Sequence, residues 1–178
     1  MQAGKRPSGG VFVAVDVHYL PCGGARAAAV VAADATFGHL LAGRTGQVAK
    51  VAPYRSGQFY LRELPPLHAV LDGLDGMTLL IVDGYADLNP AGRAGLGAYA
   101  HAEFGVPVIG VAKTAFRAAT HAVPVVRGER SARPLYVTAA GMSHHQAADL
   151  LRHMAGRYRL PDALRRADAL ARGRPLRS

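Results

Sequence analysis

Two short, apolar runs in this chain each stop at an aspartate. Val11-Phe12-Val13-Ala14-Val15 runs into Asp16, and Leu79-Leu80-Ile81-Val82 runs into Asp83. Runs of this length, rich in β-branched residues and bounded by turn residues such as Gly9-Gly10, read as buried strands. A carboxylate at the end of a buried strand costs free energy unless something pairs with it. A third acid lies between them, in Leu61-Arg62-Glu63. Three such acids ask for a shared partner. Hard oxygen ligands suit a divalent cation of the Mg²⁺ or Mn²⁺ type, which can activate water against a phosphodiester. Acids also serve as helix caps and surface groups, and Asp83 before Gly84 can form an Asx turn.

The order of patterns sets the fold class. Arg26–Ala35 reads as a second strand after the turn Pro21-Cys22-Gly23-Gly24, and Gln47–Ala52 as a third, giving an antiparallel meander. Apolar residues at 67, 70, 71 and 74 predict a helix over Pro65–Leu74, with the prolines at its start. Then come a strand at Leu79–Val82, a helix over Pro90–Phe104 stopped by Gly105, and a strand at Val106–Val111. Residues 117–133 read as an exposed loop or hairpin, and Pro134–Thr138 as a late strand. A helix capped by Ser143 follows, and a last helix spans Pro161–Arg172. Three strands, a helix, then alternating strands and helices make a mixed α/β domain over residues 11–178, after a flexible Gly-rich stretch at 1–10. Ligands of open α/β sheets bind beyond the carboxyl ends of the strands, where both aspartates fall. Lys113, after Val108-Ile109-Gly110-Val111-Ala112, is at such an end too. It can meet a phosphate as a point charge or simply face solvent.

Charge and cysteine usage narrow the partners. Lys plus Arg number 21 against 12 acids in 178 residues, a formal charge of +9 that favours polyanions, nucleic acid first. The same balance arises in Arg- and Ala-rich chains with no nucleic-acid role. Cys22 is the only cysteine, which excludes an internal disulfide and a cysteine metal cluster. No run approaches the roughly 20 apolar residues of a membrane span. A cytoplasmic monomer with no membrane association is the expectation.

The segment Val82–Lys113, VDGYADLNPAGRAGLGAYAHAEFGVPVIGVAK, resembles the central signature of the endonuclease V family: a strand ending Asp-Gly, a Pro-containing turn, a Gly-rich helix, and a strand ending Gly-Val-Ala-Lys. Val15-Asp16-Val17-His18-Tyr19 is similar to its first motif. Pro53-Tyr54-Arg55-Ser56-Gly57 with Leu61-Arg62-Glu63-Leu64-Pro65 resembles its Pro-Tyr turn and Arg-Glu-x-Pro helix start. Tyr158-Arg159-Leu160-Pro161 with Ala167-Asp168 is similar to its C-terminal segment. The resemblance implies an RNase H-like fold and Mg²⁺- or Mn²⁺-dependent cleavage of a phosphodiester one nucleotide 3′ of inosine, in DNA or RNA. It implies Asp16, Glu63 and Asp83 as metal-binding acids and Lys113 as the active-site lysine. Tyr54 would lie in the turn that wedges beside the displaced base, with Gly57, Gly84 and Tyr19 near the substrate.

Departures from the family pattern are equally specific. Asn89-Pro90-Ala91 stands where the family has His-Pro-Arg, and Tyr99 where it has a helix histidine. The wedge turn lacks its proline. Ala139-Ala140-Gly141-Met142 stands where a Gly-His-Arg supplies a late metal-site histidine; His144 and His145 follow, either as substitutes or as exposed first-turn residues. These departures point to a divergent member with altered preference or reduced activity. Two other readings share the pattern: a nucleic-acid-binding protein that has lost catalysis, and a small-molecule phosphate-ester enzyme.

Overall fold

The computed structural model describes residues 9–56 and 58–175. The expected flexible stretch 1–10 therefore falls largely outside the described residues, and Gly57 falls outside them as well. Strands β1 (Val11–Tyr19), β2 (Ala25–Ala32), β3 (Leu40–Val48), β4 (Met77–Asp83), β5 (Val108–Ala112), β6 (Val123–Val125) and β7 (Leu135–Ala140) form one sheet in the order β3-β2-β1-β4-β5-β7-β6. The first three are an antiparallel meander, and β1, β4 and β5 are mutually parallel. β7 then reverses, antiparallel to both β5 and β6. This is the mixed, RNase H-like sheet expected, with an antiparallel pair added at its far edge.

Helices cover both faces. α1 (Tyr60–Leu71) and α2 (Leu96–Phe104) pack on one face, where Leu67, Val70, Leu96 and Ala100 meet Val13, Val15, Leu80 and Val82. α3 (His144–His153) and α4 (Asp162–Ala171) pack on the other, where Ala147, Leu151, Leu164 and Ala167 join a core with Ala14, Ile81, Ile109 and Val111. Period-2 alternation along the central strands thus sends successive side chains to two separate cores.

Several element boundaries differ from expectation. β3 spans Leu40–Val48, not Gln47–Ala52; most of it is exposed, so it carries no apolar run to read. α1 starts five residues before Pro65, and both prolines sit inside it. Each proline removes a backbone donor, but burial of Pro66, Leu67, Val70 and Leu71 holds the helix together. α2 starts at Leu96 rather than Pro90, because residues 84–95 form an irregular connection crossing the sheet. Gly105 is the left-handed cap expected, and Ser143 with Gln146 forms a full capping box on α3.

Candidate active site

β1 continues three residues beyond Asp16, so that aspartate is inside the strand rather than at its end. Its place is nonetheless at the carboxyl edge of the parallel part of the sheet. Ala14 pairs with Ile81 in parallel register, so two residues further on Asp16 comes level with Asp83, the last residue of β4. Asp16 follows Phe12 and Ala14, and Asp83 follows Leu79 and Ile81, onto the face covered by α3 and α4. Asp83 pairs with Val111 in β5, and Lys113 lies two residues beyond, on the same face. Its Nζ reaches Asp83 Oδ2 at 2.6 Å.

Glu63 approaches from the other face. It stands in the first turn of α1, nearly buried, and accepts a hydrogen bond from the Tyr19 hydroxyl. Tyr19 follows Val13, Val15 and Val17 to that face, and the Arg62 guanidinium stacks over its ring at 4.2 Å. The acids feel one another across the sheet edge. Burial first, then the charges of Asp83 and Asp168, push the Asp16 carboxyl up to about 7. Burial, then the charges of Asp16 and Asp83, push Glu63 up to about 7 against the hydrogen bond from Tyr19. Burial works against a charged Lys113, but Asp83 outweighs it and the amine is shifted upward.

Asp168, placed by the sequence in the C-terminal segment but given no role there, joins these acids. It projects from α4 into a cavity of about 10 Å³ lined with Asp16, Asp83 and Lys113, about the room of one water. Its signal was present: Leu164 and Asp168 are four apart, so an acid stands beside the buried stripe of an amphipathic helix. Excess negative charge, burial and an all-oxygen donor set fit a hard dication, with Asp16 and Asp83 as ligands and Glu63 and Asp168 beside them. The side chains are not closed into a tight cage. Asp83 turns to Lys113, Glu63 to Tyr19, and Asp168 to Arg172 Nε at 2.8 Å.

His144 and His145 do not take the place beside these acids. His145 is exposed, and His144 lies against Asp87 and His121 instead. Among the described residues, Asp87, His121 and His144 are the one group of three His, Cys, Asp or Glu side chains whose ligand atoms all lie within 4.8 Å of one another.

A cleft of about 620 Å³ opens beside Asp83 and Lys113, lined by Tyr54, Tyr60, Gly84, Tyr85, Leu96 and Phe116 among others. That volume suits a small planar ligand. Gly84 has φ of +118°, which a side chain would resist, and it turns the chain sharply away from Asp83. Gly110 permits the turned chain to lie on the sheet, since a Cβ there would stand 2.5 Å from Ala86 N and 2.7 Å from Gly84 O. Buried Thr138 Oγ1 accepts a hydrogen bond from Ala86 N at 2.7 Å and fixes the crossing. Tyr85 holds the opposite wall: its hydroxyl donates to Thr114 O and accepts from Phe116 N. Tyr54, on the rim, is 67% exposed. Tyr99, at the family's histidine position, stacks on Tyr60 at 3.6 Å. Arg157 and Arg165 lie over the Tyr158 ring, and Arg166 and Arg174 line the same cleft.

The chain matches the Endonuclease V family model over residues 3–131. It is 31% identical to endonuclease V of Rhodospirillum centenum, over 96% of this chain and 73% of that protein. The crystal structure of endonuclease V from Streptomyces avermitilis resembles it with a TM-score of 0.75 at 29% identity, covering 94% of this chain and 82% of that one. Endonuclease V of Ciona intestinalis, in complex with a 23mer DNA containing an inosine followed by a ribo-adenosine, shares the fold with a TM-score of 0.76 at 18% identity, over 92% and 84% of the two chains. Asp16, Asp83 and Lys113 all fall within the matched segment, and the protein belongs to the endonuclease V family.

Proposed function

We propose that this protein is a nuclease that hydrolyses a phosphodiester on the 3′ side of inosine in DNA or RNA, using Mg²⁺ or Mn²⁺. The observation that carries the reading is the level placement of Asp16 and Asp83 on neighbouring parallel strands, with Lys113 Nζ 2.6 Å from Asp83. Asp16 and Asp83 would hold the ion, with Glu63 and Asp168 close enough to complete its surroundings. When bound, it supplies water activation and charge stabilisation at the leaving oxygen.

The chain's own residues supply the rest. Lys113 brings a positive point charge to the mouth of the cleft, where the scissile phosphate would lie. The Tyr19 hydroxyl donates to Glu63 and fixes the orientation of its carboxylate beside the place of the ion. The cleft beside Asp83 has the size and aromatic lining to take an unstacked base, with Tyr54 at its rim where the duplex would part. The arginines around Tyr158 supply phosphate contacts along a longer strand. The missing proline in the turn at Tyr54 and the Tyr99–Tyr60 stack favour a substrate preference shifted from that of the family. Exposed, unpaired Cys22 is consistent with a reducing, cytoplasmic setting.

The test is incubation with inosine-containing and matched control DNA and RNA, single-stranded and duplex, with Mg²⁺, Mn²⁺ or chelator. Cleavage confined to inosine substrates, abolished by chelator and lowered about 100-fold or more in Asp16→Asn, is the expected result. Cutting that survives in Asp16→Asn overturns it. Tight binding without cutting reassigns the protein as a nucleic-acid-binding member of the same fold.

A further inference from the structure

We infer that Asp87, His121 and His144 form a second metal site, separate from the carboxylate centre and selective for a borderline dication of the Zn²⁺ class. The three residues come from three separate segments: the connection after β4, the loop before β6, and the first residue of α3. His121 Nε2 lies 3.0 Å from Asp87 Oδ1, and His144 Nε2 lies 3.5 Å from the same oxygen. The two imidazoles are tilted at 48° to each other with centroids 5.2 Å apart. Metal–ligand bonds of about 2.0–2.1 Å in a tetrahedron set neighbouring ligand atoms about 3.3 Å apart, and the separations of 3.0 Å and 3.5 Å bracket that value.

Unsatisfied polar atoms give an independent argument. Asp87 Oδ1 and both ring nitrogens of His121 are buried and have no hydrogen-bond partner. The 3.0 Å approach of His121 to Asp87 thus lacks hydrogen-bond geometry. Orphaned buried donors and acceptors are uncommon and costly, and Asp87 Oδ1 with the nearby His121 Nε2 calls for a common partner. A dication placed among them satisfies Asp87 and one nitrogen of each histidine, leaving a position for water. The side chains are only 14–24% exposed, enough for an ion to enter but not for bulk water to solvate each group freely.

Ligand chemistry sorts the two sites. Imidazole favours Zn²⁺, Ni²⁺ or Co²⁺, whereas the oxygen-only set at Asp16 and Asp83 suits Mg²⁺ or Mn²⁺. The second site's role is structural. Asp87 stands in the connection that carries Gly84 and Tyr85, so an ion there ties the wall of the cleft to α3 and to the loop at His121. The site stands whether or not the protein cuts nucleic acid.

Zn²⁺ alone is the probe, titrated calorimetrically into purified, metal-stripped protein in excess Mg²⁺. We expect one Zn²⁺ per chain, unaffected by Mg²⁺ and by Asp16→Asn. His121→Asn and His144→Asn should each weaken it by more than the roughly 10–100-fold that loss of a mere supporting partner costs. A Co²⁺ complex of the unaltered protein serves as a second readout free of folding effects: two histidine imidazole resonances should show paramagnetic shifts. Zn²⁺ binding that disappears with excess Mg²⁺ or with Asp16→Asn, that is equal in the histidine variants, or a Co²⁺ complex lacking the two shifted imidazoles, overturns the site.

Discussion

Lys113 Nζ and Asp83 Oδ2 stand 2.6 Å apart, bridging the ends of β5 and β4 at the mouth of the cleft. Both side chains are over a third exposed, so the pair adds little to stability. Its value is positional: Asp83 holds a cation where a phosphate would sit. Lys113→Ala should lower kcat about 100-fold with a small change in Tm, and Lys113→Arg should recover only part of it, because a planar fork does not replace a point charge. Single-turnover cleavage and thermal melts on the same preparations decide this.

The acids make stability depend on pH in an unusual direction. Asp16 and Glu63 rise to about 7 in the folded protein, from ordinary values of 3.8 and 4.5. The folded state therefore holds these protons more tightly than the unfolded chain. Their stabilisation is complete below about pH 4 and is lost as pH rises to and through about 7. In chelator, Tm should fall between pH 5 and pH 8, and Mg²⁺ or Mn²⁺ should restore more of it at pH 8 than at pH 5. A metal-free Tm that climbs over this range would falsify the electrostatic account of the site.

Asp16→Asn follows from the same repulsion. Removing one of the crowded charges should stabilise the metal-free protein at pH 8 by about 1 kcal/mol while abolishing cleavage, the usual trade between function and stability. For a chain of this size, that is about 2–4 °C in Tm. Scanning calorimetry in chelator reads it directly; a loss of stability counts against the repulsion.

Gly110→Ala tests how the cleft is built. The added Cβ would meet the backbone of Ala86 and Gly84, neither of which can rotate away. The connection must lift, straining the Ala86–Thr138 hydrogen bond. We expect a loss of about 1–3 kcal/mol in urea denaturation and a larger fall in activity than the lost stability explains.

The arginines around Tyr158 should act on binding rather than on chemistry. Arg165 stacks on the Tyr158 ring at 4.0 Å, and Arg166 lines the same surface. The double change Arg165→Ala and Arg166→Ala should weaken binding of inosine and control strands alike. It should reduce the slope of log K against log salt by about 1–2, with single-turnover kcat unaltered at saturation. Fluorescence anisotropy over a salt series measures the slope.

Those features of the site that rest on local pattern were readable along the chain. Short apolar runs marked the strands carrying Asp16 and Asp83, and Gly105 and Ser143 marked helix ends through their own backbone and capping chemistry. β3 escaped because an exposed edge strand needs no apolar face. The start of α1 escaped because the prolines suggested a beginning, whereas packing of Leu67, Val70 and Leu71 carries the helix through them. Asp168 stood in plain view on a helix, but only the packing of α4 against β1 brings it to Asp16.

The sequence by itself therefore determined the element types, the two-sided burial of the central strands, and the family. Period-2 alternation and strand-end chemistry act over a few residues, and these can be read without a partner. Tertiary structure alone decided which acids face one another, since the parallel register of β1 and β4 levels Asp16 with Asp83 across a long separation in the chain. It also decided that His144 joins Asp87 and His121 rather than the carboxylates. Such meetings depend on packing between distant segments, where the side chains that converge leave no periodicity or spacing behind.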